Sequence, residues 1–229
     1  MWRDGSGNRL PEGFERLEKP SHGVQEGFSM RYQDPPGFEV VTGPAIAAAA
    51  AELAALRIAV FRDWPYLYDG DEAYERKYLA RYAGTPGAVV VLARDGGRIV
   101  GASTGMPLAA ELAEFRAPFE RAGLDPASVF YFGESVLLPP WRGRGAGHAF
   151  FDLREAHARA LPGIKTAAFC AVERDAGDPR RPAGYRPLDA FWRGRGYERA
   201  AGMTTTFSWR ETGEAAESPK RMRFWLKRL

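Results

Sequence analysis

The sequence predicts an α/β domain of the mixed, α+β kind. The first indication is the stretch 130–161, which reads strand, glycine-rich turn, helix. The β-prone run Tyr131-Phe-Gly-Glu-Ser-Val-Leu-Leu138 is closed by Pro139 and Pro140, and after the glycines apolar residues recur at helical spacing at Phe150, Leu153, Ala156 and Ala160. The second is a pair of apolar runs, 88–93 and 98–104, flanking Arg94-Asp-Gly-Gly97, the pattern of a hairpin with glycine in its turn. The third is the order of elements over 37–229, which reads β, α, α, β, β, (α), β, α, β, α, β, β.

Residues 1–36 are rich in glycine, proline, glutamine and charge without period, and are expected to form an irregular extension to a domain spanning 37–229. Gly37-Phe-Glu-Val-Val-Thr42 alternates like a first strand. Thr42-Gly-Pro-Ala opens a helix with the stripe Ile46, Leu53, Leu56 and Val60, which should end before Pro65. Asp71 is placed to cap a second helix over 72–82, stopped by Gly84-Thr-Pro-Gly87. A third helix is expected over 108–122, weakened at Pro118. Beyond the central strand, turn and helix, 164–172 reads as a strand and 173–186 as a polar loop rich in proline and arginine. A short helix over 187–197 should end at Gly196, and 203–209 and 222–226 are late strands separated by the acidic stretch 211–218.

With 229 residues the chain suits one domain with extensions. No apolar run approaches a membrane span, and the N-terminus has no apolar core of a signal peptide. The single Cys170 cannot form an internal disulfide, so a cytoplasmic location is expected. Three scattered His and one Cys have no zinc-ligand spacing, and no metal is expected. The net charge of +3 comes with dispersed arginines, so nucleic acid is not the expected partner, and a polyanionic cofactor accounts for the bias equally well. No Gly-x-Ser-x-Gly is present, which disfavours a serine hydrolase of the nucleophile-elbow type.

Gly143, Gly145 and Gly147 carry no Cβ, so their backbone can approach a ligand closely. The helix that starts there adds unpaired N–H groups and the positive end of its dipole, which together make a phosphate cradle. No Lys-Ser or Lys-Thr follows, and the spacing Gly-x-Gly-x-Gly is not the dinucleotide fingerprint. What fits is Arg142-x-x-Gly145-x-Gly147 straight after a strand. This resembles the acetyl-CoA signature Gln/Arg-x-x-Gly-x-Gly/Ala of the GNAT superfamily of N-acetyltransferases. Glu134-Ser-Val-Leu-Leu-Pro-Pro-Trp141 looks like that family's fourth strand, and Ala190-Phe-Trp-Arg-Gly-Arg-Gly-Tyr197 like the helix that closes with Gly-Phe or Gly-Tyr. The resemblance implies a mostly antiparallel central sheet flanked by helices, with a splayed central strand. It implies transfer of an acetyl group from acetyl-CoA to a primary amine, by direct attack in a ternary complex.

Residue by residue, it implies that backbone groups of Val136, Leu137 and Leu138 pair with the pantetheine arm, with the Leu137 N–H as oxyanion donor. Amides of Gly143, Arg144, Gly145, Ala146 and Gly147 take the pyrophosphate, and Arg142 and Arg144 add charge. Glu134 would relay a proton from the amine; its competing role is a structural Glu paired with an Arg. The general acid departs from the family pattern, because Trp192 stands where Tyr is common. Tyr185 is the preferred substitute, ahead of Tyr197 and Cys170, all of which have simple packing roles as alternatives. His148 and His157 read as packing residues. The acceptor is expected to be a small-molecule amine, with Trp64, Tyr66 and Tyr68 as apolar and cation–π walls and Asp69, aided by Asp71 and Glu72, attracting the ammonium. Capping by Asp71 competes with that role. A monomer or homodimer is expected. The alternative is an acyl-CoA-binding or regulatory module without catalysis, supported by Trp192.

Overall fold

The computed structural model describes residues 36–229, and the extension expected over 1–36 lies outside them except for its last residue. Strands β1 (Gly37–Val41), β2 (Val89–Asp95), β3 (Arg98–Pro107), β4 (Val129–Leu137), β5 (Thr166–Val172), β6 (Glu198–Trp209) and β7 (Ser218–Arg228) form one sheet in the order β1-β2-β3-β4-β5-β7-β6. Every neighbouring pair is antiparallel except β4 with β5. The helices are α1 (Pro44–Ala48), α2 (Ala50–Phe61), α3 (Glu72–Gly84), α4 (Ala113–Arg121), α5 (Ala146–Ala160) and α6 (Asp189–Gly194). The result is the expected mixed, mostly antiparallel sheet flanked by helices.

The central strand sorts its side chains by period two. Phe130 and Phe132 pack with Phe151 of α5, while Val129 and Tyr131 pack with Phe115 and Phe119 of α4. Each such large apolar side chain contributes roughly 1.5–3 kcal/mol on burial. The hairpin between β2 and β3 turns on Gly96 and Gly97, both at positive φ. Asp71 caps α3, accepting from the Tyr74 N–H at 2.7 Å.

Several elements depart from the sequence reading. The first helix is two, divided at Ala49, whose φ of −91° and ψ of −2° depart from regular helical values; Ile46 and Leu53 still reach the same core. The helix expected over 108–122 is a 3-10 turn followed by α4. Pro118 lies inside α4 and cannot bond the Glu114 carbonyl four residues back; the Thr205 hydroxyl donates to that carbonyl instead, at 2.6 Å. β6 begins earlier than the pattern suggested because its register jumps between Arg199 and Thr204, near Gly202 at φ 72°, so alternation fails there. β7 admits Pro219 because at that point it pairs with β6 and not yet with β5.

The buried face of α5 is also turned from the expected stripe. Phe150, Phe151, Arg154, Glu155 and Ala158 are buried, whereas Ala156 and Ala160 are exposed. Two charged residues sit on the inner face because each finds partners there. Arg154 bonds the β4 backbone, and Glu155 accepts from Tyr197 and pairs with Lys227.

Candidate active site

β4 and β5 pair only from Val129 to Tyr131, against Thr166 to Ala168. Beyond that they diverge, and the cause lies in β4. Ser103 faces Ser135 and Gly105 faces Phe132, so Gly133 and Glu134 together oppose Thr104. This one-residue bulge bends the strand. Gly133 is required there, since a Cβ would stand 2.3 Å from Tyr82 Oη and 2.6 Å from Thr104 Oγ1. Arg154, fully buried in α5, holds the bulge from the other face, donating to the carbonyls of Thr104 and Glu134 at 3.0 Å each and to Ser135 Oγ at 2.8 Å. Burial pushes its guanidinium down to about 10, so it remains a cation at neutral pH.

The divergence opens a cleft of about 1530 Å³. Its floor includes Glu134, Ser135 and Leu137, and the glycine loop and β5 lie on its walls. The Leu138 N–H donates to Val100 O at 2.9 Å, and in the same antiparallel register Val136 is turned toward Ala102 of β3. Leu137, between them, therefore directs its N–H away from β3 and into the cleft. Of the expected pantetheine contacts, the amides of Val136 and Leu138 are engaged with β3, and Val136 itself is buried in the core. The Leu137 carbonyl accepts from Arg142 Nε at 3.0 Å, which ties the loop to the strand.

The loop that follows is anchored by buried Trp141. Gly143 at φ 77° and Gly145 at φ 82° need the left-handed region, and nothing lies within 4 Å of where a Cβ would stand. Gly145 is the N-cap of α5, so the first amides of the helix lack carbonyl partners within it. Ala146 turns its side chain into the core, leaving only its backbone for a ligand, and Gly147 gives room to the Phe191 ring. Arg142 is exposed, 3.9 Å from Asp63, and the Arg144 guanidinium stacks 5.1 Å from the Trp141 ring centroid. Open space, oriented amides and cations at a dipole's positive end fit a pyrophosphate.

Glu134 is half-buried and held on both oxygens. Its carboxylate pairs with Arg57 and accepts from Tyr78 Oη. Arg57 in turn pairs with fully buried Glu75, and its guanidinium lies 4.0 Å from the Tyr78 ring centroid. Burial raises the Glu75 carboxyl, against the opposing pull of Arg57, and burial raises the Tyr78 phenol. Sequence reasoning missed Arg57, Glu75, Tyr78 and Arg154. The available signal was a charge on an apolar stripe: Arg57 follows Leu53, and Arg154 follows Phe150, by four residues.

The acid candidates separate. Tyr185 lines the cleft and meets Trp64 edge to face at 6.0 Å; burial raises its phenol. Tyr197 is fully buried and donates to Glu155. Cys170 lies 3.0 Å from Tyr131 Oη, and burial pushes its thiol up to about 12. Trp192 packs on Phe169 and Trp225. His148 contacts Phe191, and His157 meets the Gly87 carbonyl at 2.9 Å.

On the acceptor side, Trp64 and Tyr66 line the cleft but Tyr68 and Asp69 do not. Asp69 pairs with Arg210 at 2.7 Å, Glu72 pairs with Arg76 at 3.1 Å, and Asp71 serves as the α3 cap. These carboxylates are occupied by structural partners, so the acidic lure expected between the helices is not presented to the cleft. Tyr68 Oη faces the Asp71 N–H at 3.4 Å. Among the described residues no helix is long and apolar enough to cross a membrane.

No protein-family model matches the sequence, and no curated protein matches it. Solved structures do. A ribosomal-protein-alanine N-acetyltransferase from Brucella melitensis aligns at 16% identity and a TM-score of 0.54, over 84% of this chain and 99% of that one. An acetyltransferase of GNAT family from Streptococcus pneumoniae aligns at 13% identity and a TM-score of 0.52, over 84% of this chain and 100% of that one. YncA of Salmonella typhimurium, provisionally named an acetyltransferase and solved with its cofactor acetyl-CoA, aligns at 13% identity and a TM-score of 0.53, over 84% and 94%. Likeness at this identity is a likeness of backbone course, and by that course the chain has the fold of the GNAT acetyltransferases.

Proposed function

We propose that the protein is an N-acetyltransferase that moves an acetyl group from acetyl-CoA to a primary amine of a small molecule, by direct attack within a ternary complex. The observation that carries this reading is the join between two features: a Leu137 N–H turned away from β3 at the splay of β4 from β5, in one cleft with the open glycine loop at the start of α5. Acetyl-CoA would supply an acyl group activated as a thioester. Amides of residues 143–147 hold its pyrophosphate, with Arg142 and Arg144 adding charge. The Leu137 N–H donates where negative charge develops on the carbonyl oxygen. Glu134, on the cleft floor, accepts the proton that the amine must lose as its nitrogen bonds to the acyl carbon. Tyr185, which lines the same cleft, returns a proton to the thiolate released when the carbon–sulfur bond breaks. The aromatic faces of Trp64 and Tyr66 border the acceptor.

A second reading, a module that binds acyl-CoA without transferring the acyl group, is favoured by Trp192 in place of Tyr and by the hold of Arg57 on Glu134. Thiol release from acetyl-CoA across a panel of amines separates the two. The expected result is amine-dependent release of CoA together with an acetylated product. Tight CoA binding without release on any amine supports the module.

A further inference from the structure

We propose that the acceptor carries a carboxylate as well as its amine, and that Arg181 and Arg186 receive that carboxylate. The inference deepens the acetyltransferase reading and rests on it for the identity of the acceptor site. It starts from an imbalance: among the described residues, seven arginines and five carboxylates line the cleft. Among the arginines, Arg174 pairs with Glu211, Arg199 with Asp189 and Arg223 with Glu173. Arg142 has Asp63 at 3.9 Å, and Arg154 is consumed by the β4 bulge. Among the described residues Arg181 and Arg186 have no carboxylate partner. Among the carboxylates, Glu134 is held by Arg57, and Asp175 is turned back to its own loop, accepting from the Gly177 N–H at 2.8 Å. The surplus positive charge therefore falls on one short stretch of the loop 173–188.

That stretch is held in place. Arg174 donates to the carbonyls of Pro65 and Tyr66 at 2.6 Å and 3.2 Å, and Arg180 pairs with Asp178 and Glu211 at 2.6 Å each. Half-buried Arg181 makes a 3.4 Å bond to the Ala176 carbonyl and stacks 5.7 Å from the Tyr185 ring centroid. Tyr185 meets Trp64, so the guanidinium groups of Arg181 and Arg186 stand on the loop that faces the aromatic acceptor wall. A planar guanidinium matches a carboxylate by two parallel hydrogen bonds, stronger than neutral ones. It matches a phosphate as well, so the phosphates of CoA are the other source of the same chemistry. The amides that suit a pyrophosphate lie at the glycine loop, whereas Arg181 is linked through Tyr185 to Trp64, which favours the acceptor.

The test uses the full chain with CoA bound. Calorimetry compares ω-amino acids of two to six carbons with alkylamines of the same length, on wild type, Arg181→Gln, Arg181→Lys and Arg181→Gln with Arg186→Gln. At least one amino acid should bind at least about tenfold more tightly than its alkylamine. The double variant should abolish that preference, Arg181→Lys should retain part of it, and affinities for CoA and dephospho-CoA should not change. Equal binding of the two series overturns the proposal, as does a preference that survives the double variant. If the double variant weakens CoA more than dephospho-CoA, these arginines serve the cosubstrate's phosphate and the proposal is wrong. Binding is read without turnover, so a carboxylate preference with no acetyl transfer sinks the acetyltransferase reading alone. Transfer to alkylamines and amino acids alike, at equal KM, sinks this inference alone.

Discussion

Glu134 shows how little of a side chain's surroundings a sequence reveals. Its place on a strand eight residues before Arg142 could be read from the motif, but Arg57 and Tyr78, which grip its carboxylate, come from helices far away in sequence. A charged residue on a helix is ordinarily read as solvent-facing, and only its position on an apolar stripe marks Arg57 and Arg154 as different. The proposed base role leads to a definite expectation. Glu134→Gln should retain acetyl-CoA affinity and lose turnover by roughly a hundredfold, the scale of a positioned base. The loss should be largest at low pH, where the amine is most often protonated. Steady-state rates across pH measure this; an unaltered profile makes Glu134 purely structural. Next to it, Gly133→Ala places a methyl group against two phenols and a threonine hydroxyl, with backbone on either side fixed by the bulge. Overpacking of this kind costs about 1–3 kcal/mol, so the denaturant midpoint should fall. A variant as stable as wild type would show that Tyr78 and Tyr82 move aside freely.

Elements were more legible than residues, in proportion to how local their causes are. The strand, turn and helix over 129–160 follow from a β-prone run, proline and glycine punctuation, and a helical period, all within one stretch. The inner face of α5 was not legible, because Arg154 and Glu155 are buried by partners on β4, β7 and the segment after α6. Nor was the early part of β6, where a bulge erases the alternation by which strands are recognised. The cradle at the start of α5 depends on backbone alone, and Gly145→Glu tests it. The new side chain puts a carboxylate into open space beside the amides proposed to bind pyrophosphate, at a position with φ 82°. Acetyl-CoA affinity should fall at least about tenfold, or about 1.4 kcal/mol. Calorimetry reads that loss, and a parallel melting curve separates it from backbone strain. Unchanged affinity would mean that the phosphates lie elsewhere.

At the scale of the whole molecule, the cleft is held open by contacts that no local pattern announces, and one carboxylate gathers most of those on the acceptor side. Glu211, buried after β6, pairs with Arg174 and Arg180 of the 173–188 loop at 2.6 Å each and lies 3.8 Å from Lys220 of β7. It also bridges to Tyr68 across the backbone, while Arg174 carries the connection on to Pro65 and Tyr66 beside Trp64. The acceptor wall, the arginine loop and the sheet edge thus share one anion, whereas the glycine loop is fixed chiefly by Trp141 and by Arg142, which reaches the acceptor segment at the 3.9 Å approach to exposed Asp63. This division predicts an asymmetric effect of Glu211→Gln. Neutralising the carboxylate weakens its charge-assisted bonds to Arg174 and Arg180, each worth about 1.5–3 kcal/mol, although both arginines keep other partners. The loop should loosen, KM for the amine should rise several-fold, and CoA affinity should stay within about twofold of wild type. Limited trypsin digestion gives an independent reading. Cleavage after Arg174 and Arg180 should accelerate, while the bonds after Arg181 and Arg186, each followed by proline, stay resistant. If CoA affinity falls together with amine affinity, the two halves of the cleft are one mechanical unit. If neither KM nor the digestion rate changes, Glu211 does not organise the acceptor wall.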